Sequence, residues 1–127
     1  MRLLLDTQVY LWFLADSPRL SKAAKLEIQR ADEVLVSAAS IWEAAIKAGL
    51  GKLDVDAEKL AAGIEASGFA EMPIRAGHGL VAAALPPHHR DPFDRMLIWQ
   101  AISNNYTLIS ADGNVKKYTP VGLKIIS

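Results

Sequence analysis

At 127 residues the chain has the length of one domain, large enough to bury a core and small for two. Its fourteen basic and fourteen acidic residues cancel, which argues against a protein that holds nucleic acid mainly by bulk electrostatics, but not against a nuclease that grips phosphate through a metal and a few local cations. The lack of cysteine excludes disulfides and thiolate metal sites and fits a reducing cytosol; no apolar run approaches the ~18 residues of a membrane span, and no secretory leader is expected.

Leu3-Leu4-Leu5, ending in Asp6, reads as a buried strand of a parallel sheet, and Asp6 to Leu14 then reads as helical. Asp6 therefore sits at a strand-to-helix junction, as a helix cap or as a functional acid. Leu11, Trp12, Phe13 and Leu14 are more apolar than one helix face needs, so they serve the core or a protein partner. Ser21 is placed to cap a helix to about Arg30, whose Lys22, Lys25 and Arg30 form a solvated basic face. Glu33 to Ser37 is a second strand, leading into a helix from about Ala38 to Ala48 that Gly49-Leu50-Gly51 stops. Trp42, Ala45 and Ile46 are the expected buried stripe of that helix, with Glu43 at its border. Local sequence favours an ion pair between Glu43 and Lys47, one turn apart in the stabilising orientation.

Asp56 caps a further helix ending at Ser67-Gly68, Phe69 to Ile74 is extended, and Arg75 to Leu85 is a helix whose Gly77 and Gly79 permit close packing. Pro86-Pro87-His88-His89-Arg90 is a rigid polar connection, and its histidines lack a partner at metal-ligand spacing. Asp91 is a natural N-cap and Pro92 a natural first residue for the next helix. Leu97, Ile98, Ala101 and Ile102 mark the inward face of that helix, and Asp94 projects from the same face one turn earlier. Tyr106 to Ser110 is a third clear strand, with Asp112 just beyond it as a turn former or a functional acid, and Val121 to Ile126 is the last strand.

Helices alternating with short apolar strands imply an α/β sandwich around a mostly parallel sheet. Right-handed crossovers then put every strand's C-terminal end on one edge, the usual ligand edge. Asp6 and Asp112 follow strands, while Glu43 and Asp94 lie in helices entered from that edge. Like charges gathered in one cleft repel unless a cation neutralises them, and oxygen-only ligands suit Mg²⁺ or Mn²⁺. No Ser/His/Asp set or glycine-rich phosphate loop competes, so the expected chemistry is metal-assisted phosphodiester hydrolysis. The alternatives are a catalytically silent module that binds RNA or protein, and a phosphatase with Asp6 as nucleophile. The second usually wants an acid where Gln8 stands.

Over essentially its whole length the sequence resembles the PIN-domain ribonucleases, specifically VapC-type toxins of toxin–antitoxin pairs. The resemblance is carried by Leu4-Leu-Asp-Thr-Gln8, by the run from Ser37 to Leu53 around Trp42-Glu43, by Asp91-Pro-Phe-Asp-Arg95 and by Leu108-Ile-Ser-Ala-Asp112. It implies a single PIN domain over residues 1–127, a PIN-like α/β/α sandwich with strand order 3-2-1-4-5, and RNA cleavage with Mg²⁺ or Mn²⁺. It also implies a cognate antitoxin, a homodimer, and action in the cytoplasm with no membrane partner. Asp6, Glu43, Asp94 and Asp112 become the catalytic, metal-binding quartet. Ser110 stands where many members carry Thr and keeps the hydroxyl; Asp91 is either a cap or an aid to the metal. Lys47, Arg90 and Arg95 are the candidate RNA contacts.

Overall fold

In a computed structural model of the chain, which describes residues 1–86 and 91–126, the strands are β1 (Arg2–Leu5), β2 (Glu33–Ser37), β3 (Ala70–Met72), β4 (Thr107–Ile109) and β5 (Lys124–Ile126). The helices are α1 (Thr7–Leu14), α2 (Lys22–Arg30), α3 (Ala38–Gly49), α4 (Ala57–Ala66), α5 (Ala76–Ala84) and α6 (Pro92–Asn104), and a 3-10 segment spans Gly113–Val121. The strands make one five-stranded sheet in the order β3-β2-β1-β4-β5, and every neighbouring pair is parallel.

The sheet is covered on both faces, which is why its central strand is apolar without alternation. Leu3 and Leu5 point into one core with Tyr10 of α1, Ile28 of α2 and Ile64 of α4. Leu4 points into the other, with Leu97 and Ile98 of α6 and Tyr118 of the 3-10 segment. All three leucines are fully buried, each worth about 2 kcal/mol of transfer free energy. Serine and aspartate side chains start the helices: Ser21 caps α2 through Ala24 N–H at 3.1 Å, and Asp56 caps α4 through Glu58 N–H at 3.0 Å. α6 ends on Asn105 in the left-handed conformation, whose N–H returns to the last turn. No helix among the described residues is long and apolar enough to cross a membrane.

Three local expectations change. In α3 the buried side chains are Ala39, Ser40, Glu43 and Ala44, whereas Trp42, Ala45 and Ile46 face outward; Trp42 is 60% exposed. The small residues Ala39, Ser40 and Ala44 occupy the buried face, and Trp42 instead meets Phe93 edge-on, ring centroids 5.2 Å apart. Gly77 and Gly79 have open space where a side chain would be, so they serve no close packing; α5 meets α6 through Ala82. The segment after Asp112 forms a 3-10 helix rather than a simple turn, with Val115 and Tyr118 buried. Finally, His88, His89 and Arg90 lie outside the described residues.

Candidate active site

Each candidate acid is fixed by the start of a helix or by a helix face at the C-terminal edge of the sheet. Asp6 ends β1; its N–H donates to Ile109 O at 3.0 Å, and its Oδ1 caps α1 by accepting from Val9 N–H at 2.7 Å. Asp112 ends the chain's exit from β4 and caps the 3-10 segment through Asn114 N–H at 2.9 Å. Asp91 caps α6 through Phe93 N–H at 2.9 Å and Asp94 N–H at 3.3 Å, which places Asp94 in the first turn. Glu43 comes from the buried face of α3. Capping and facing the cleft are thus compatible, since a carboxylate has two oxygens.

These elements enclose an open cleft of about 310 Å³ lined by Asp6, Glu43, Asp91, Asp94 and Asp112 together with Lys47. The quartet and Asp91 are therefore brought together, and Lys47 is the one basic residue among the described lining residues. Ser110, fully buried, lies beneath: its Oγ accepts from Asp112 N–H at 3.1 Å, and its hydroxyl bonds to Asp6. Ser110 so joins the first acid to the last. Thr7 also lines the cleft, and its hydroxyl is buried with no partner among the described residues, a feature the sequence does not announce.

Burial pushes the Asp6 carboxyl above the usual range; hydrogen bonds from Ser110, Val9 and Ala111 oppose this, and the Asp112 charge adds to it. Glu43 is 5% exposed, with Oε2 paired to Lys47 Nζ at 2.8 Å and Oε1 buried with no partner among the described residues. The Lys47 ammonium is held above its ordinary pKa first by that hydrogen bond, and further by the charges of Glu43, Asp91 and Asp94.

Among the described residues, no three His, Asp or Glu side chains stand close enough together to hold an ion as they are arranged. The donor chemistry does fit a hard divalent cation: among the described residues five carboxylates and no sulfur or imidazole line the cleft, and a buried Glu43 oxygen has no donor. Arg95, expected among the RNA contacts, is engaged elsewhere. Its guanidinium donates to the carbonyls of Ala82, Ala83, Leu85 and Pro86 at 2.6 to 3.1 Å, closing the C-terminal end of α5. Tyr118 OH donates to the same Pro86 carbonyl.

Comparison with known proteins agrees with this geometry. A family model described as PIN domain matches residues 3–119. Ribonuclease VapC22 of Mycobacterium tuberculosis (strain ATCC 25618 / H37Rv) is 30% identical over 122 residues, covering 91% of this chain and 90% of that protein. Among solved structures, VapBC2 from Rickettsia felis bound to a promoter DNA fragment has a chain that aligns with a TM-score of 0.66 at 16% identity, over 99% of this chain and 98% of that one. FitAcB from Neisseria gonorrhoeae aligns with a TM-score of 0.66 at 15% identity, over 98% of this chain and 96% of that one. At such identities the two structures speak for the fold.

Proposed function

The chain belongs to the PIN-domain family, and from that premise we propose that it is a divalent-metal-dependent ribonuclease of the VapC-toxin type, restrained by an antitoxin. One observation carries the reading: the four acids expected from sequence, brought from β1, α3, α6 and the end of β4, line one cleft, two of them almost fully buried. Burying acids side by side is costly, and the cost is met where a cation binds.

Asp6, Glu43, Asp94 and Asp112 would hold Mg²⁺ or Mn²⁺, which when bound acidifies a water and steadies the leaving oxygen of the phosphodiester. Ser110 fixes Asp6 and Asp112 relative to each other. Asp91 sets the start of α6 and so the position of Asp94. Glu43 Oε1 offers its lone pairs with no competing hydrogen bond among the described residues.

An antitoxin is supported by a 390 Å³ groove, mainly apolar, whose Leu11 and Leu53 also line the acidic cleft. A peptide lying there reaches the site it restrains. Trp12 and Phe13, only half-buried and packed against the core, extend the apolar surface of α1. A homodimer of a single 1–127 PIN domain is supported by the exposed apolar side chains of α3 and α5, Trp42 and Leu80 foremost.

The test is hydrolysis of RNA with Mn²⁺ or Mg²⁺, with and without EDTA, by the wild type and Asp94→Asn. The wild type is expected to cut only with metal, and the variant to lose roughly a hundred- to a thousandfold of the rate, the cost of removing one group that stabilises the transition state. Its metal-free melting temperature should equal or exceed that of the wild type, since a repelling charge is gone. Cleavage that survives exhaustive chelation overturns the metal mechanism; RNA binding without cleavage identifies a silent module instead.

A further inference from the structure

The Glu43–Lys47 pair is lopsided. The acid's side chain is 6% exposed, whereas the lysine's is 49% exposed. A buried carboxylate needs a counter-charge beside it, but that counter-charge need not itself leave water. Here the carboxylate is held in the protein, while the cation keeps enough water to leave without losing its solvation. Lys47 also lines the acidic cleft itself, on the same wall as Glu43 and within reach of the charges of Asp91 and Asp94. It engages only one Glu43 oxygen, and the other, buried Oε1, has no donor among the described residues. An ammonium at that place supplies a single positive charge where several carboxylates gather.

We propose that Lys47 is an exchangeable resident cation of the cleft, which neutralises Glu43 in the metal-free protein and competes with the divalent ion for its carboxylate. The inference rests on the reading of the acidic cleft as a metal site. It gives Lys47 a role distinct from an ordinary helix-surface ion pair: it sets how tightly, and at what concentration, the metal is taken up. It also gives an apo state in which Glu43 is not left as a bare buried charge.

The experiment is calorimetric titration of Mn²⁺ into the intact chain as wild type, Lys47→Met and Lys47→Arg. Metal binding must displace the ammonium that holds Glu43 Oε2, so Lys47→Met is expected to bind Mn²⁺ about tenfold more tightly. Lys47→Arg keeps the charge and should stay near wild type. In EDTA, Lys47→Met should melt below wild type, because its buried Glu43 has lost the counter-charge; in saturating Mn²⁺ the gap should close. Equal affinities in wild type and Lys47→Met overturn the proposal and leave a surface pair. Weaker binding by Lys47→Met also overturns it, since Lys47 would then be orienting Glu43 for the ion. If the wild type binds no Mn²⁺ at all, the metal reading falls and this inference falls with it, a result separable from the other two. A second measurement avoids any folding defect of the variants: in wild type labelled with ¹³C-lysine, saturating Mg²⁺ should move the Lys47 Cε resonance to the solvated position. An unmoved resonance at saturation overturns the exchange.

Discussion

The two edges of the sheet treat acidic residues in opposite ways. At the N-terminal edge Glu33 is exposed and meets Arg2, whose Nε donates to Oε2 at 3.1 Å; the same guanidinium donates to Tyr106 OH at 2.9 Å and lies 4.2 Å from that ring's centroid. At the C-terminal edge Asp6 and Glu43 are 7% and 5% exposed, and five acids share a cleft with one lysine among the described residues. An acid at a strand end is commonplace, and water with a nearby cation settles it. Asp6 and Glu43, buried at one rim of the sheet, carry a desolvation cost that the exposed Glu33 does not, and that contrast marks the candidate edge.

The strongest way to probe this contrast is to remove a cation that serves structure rather than the cleft. Arg95→Ala takes donors from four carbonyls at the end of α5 and from the joint with Tyr118, and should cost about 3 kcal/mol in urea denaturation. A melt near wild type would return Arg95 to the pool of RNA contacts. A smaller effect should separate the edges by pH. Burial raises the Asp6 carboxyl above its ordinary value. Such an acid favours the native state below its unfolded pKa of about 3.9, and that advantage is lost as pH rises through the folded pKa. The metal-free wild type should therefore lose stability relative to Asp6→Asn as pH climbs through that window, as read from melts in EDTA. Parallel profiles for the two proteins would mean that Asp6 carries no penalty as an anion. The smallest effect belongs to the other edge, where Glu33→Gln should leave the melting curve unchanged within error, as screened exposed pairs do.

Much of this was legible in the sequence, because strand runs and caps are local. Leu3 to Leu5 declared a doubly covered strand, and Ser21, Asp56 and Asp91 cap the helices they were expected to cap. The acids' meeting in one cleft followed from parallel topology, which fixes the edge without side-chain detail. What escaped depends on rotation and on distant contacts. Trp42 and Ile46 looked like a buried stripe, but the helix turns Glu43 and Ala44 inward, so hydrophobicity alone named the wrong face. For Arg95, expected as an RNA contact, nothing nearby in sequence announced its bonds to the carbonyls at the end of α5. Lys47 was assigned a partner correctly from its spacing, yet the depth of that partner came only from the fold.

The strand order also governs when the cleft can exist. β1 takes β2 on one side and β4 on the other, and its Arg2 joins Tyr106 across a separation of 104 residues. Pairing so remote in sequence closes slowly and late, after local helices and the β1–β2 unit have had time to form. Asp6 has neither Ser110 nor Asp112 beside it until β4 has docked along β1. A nascent or partly folded chain therefore carries the acids without the cleft, which takes shape only once β4 lies along β1.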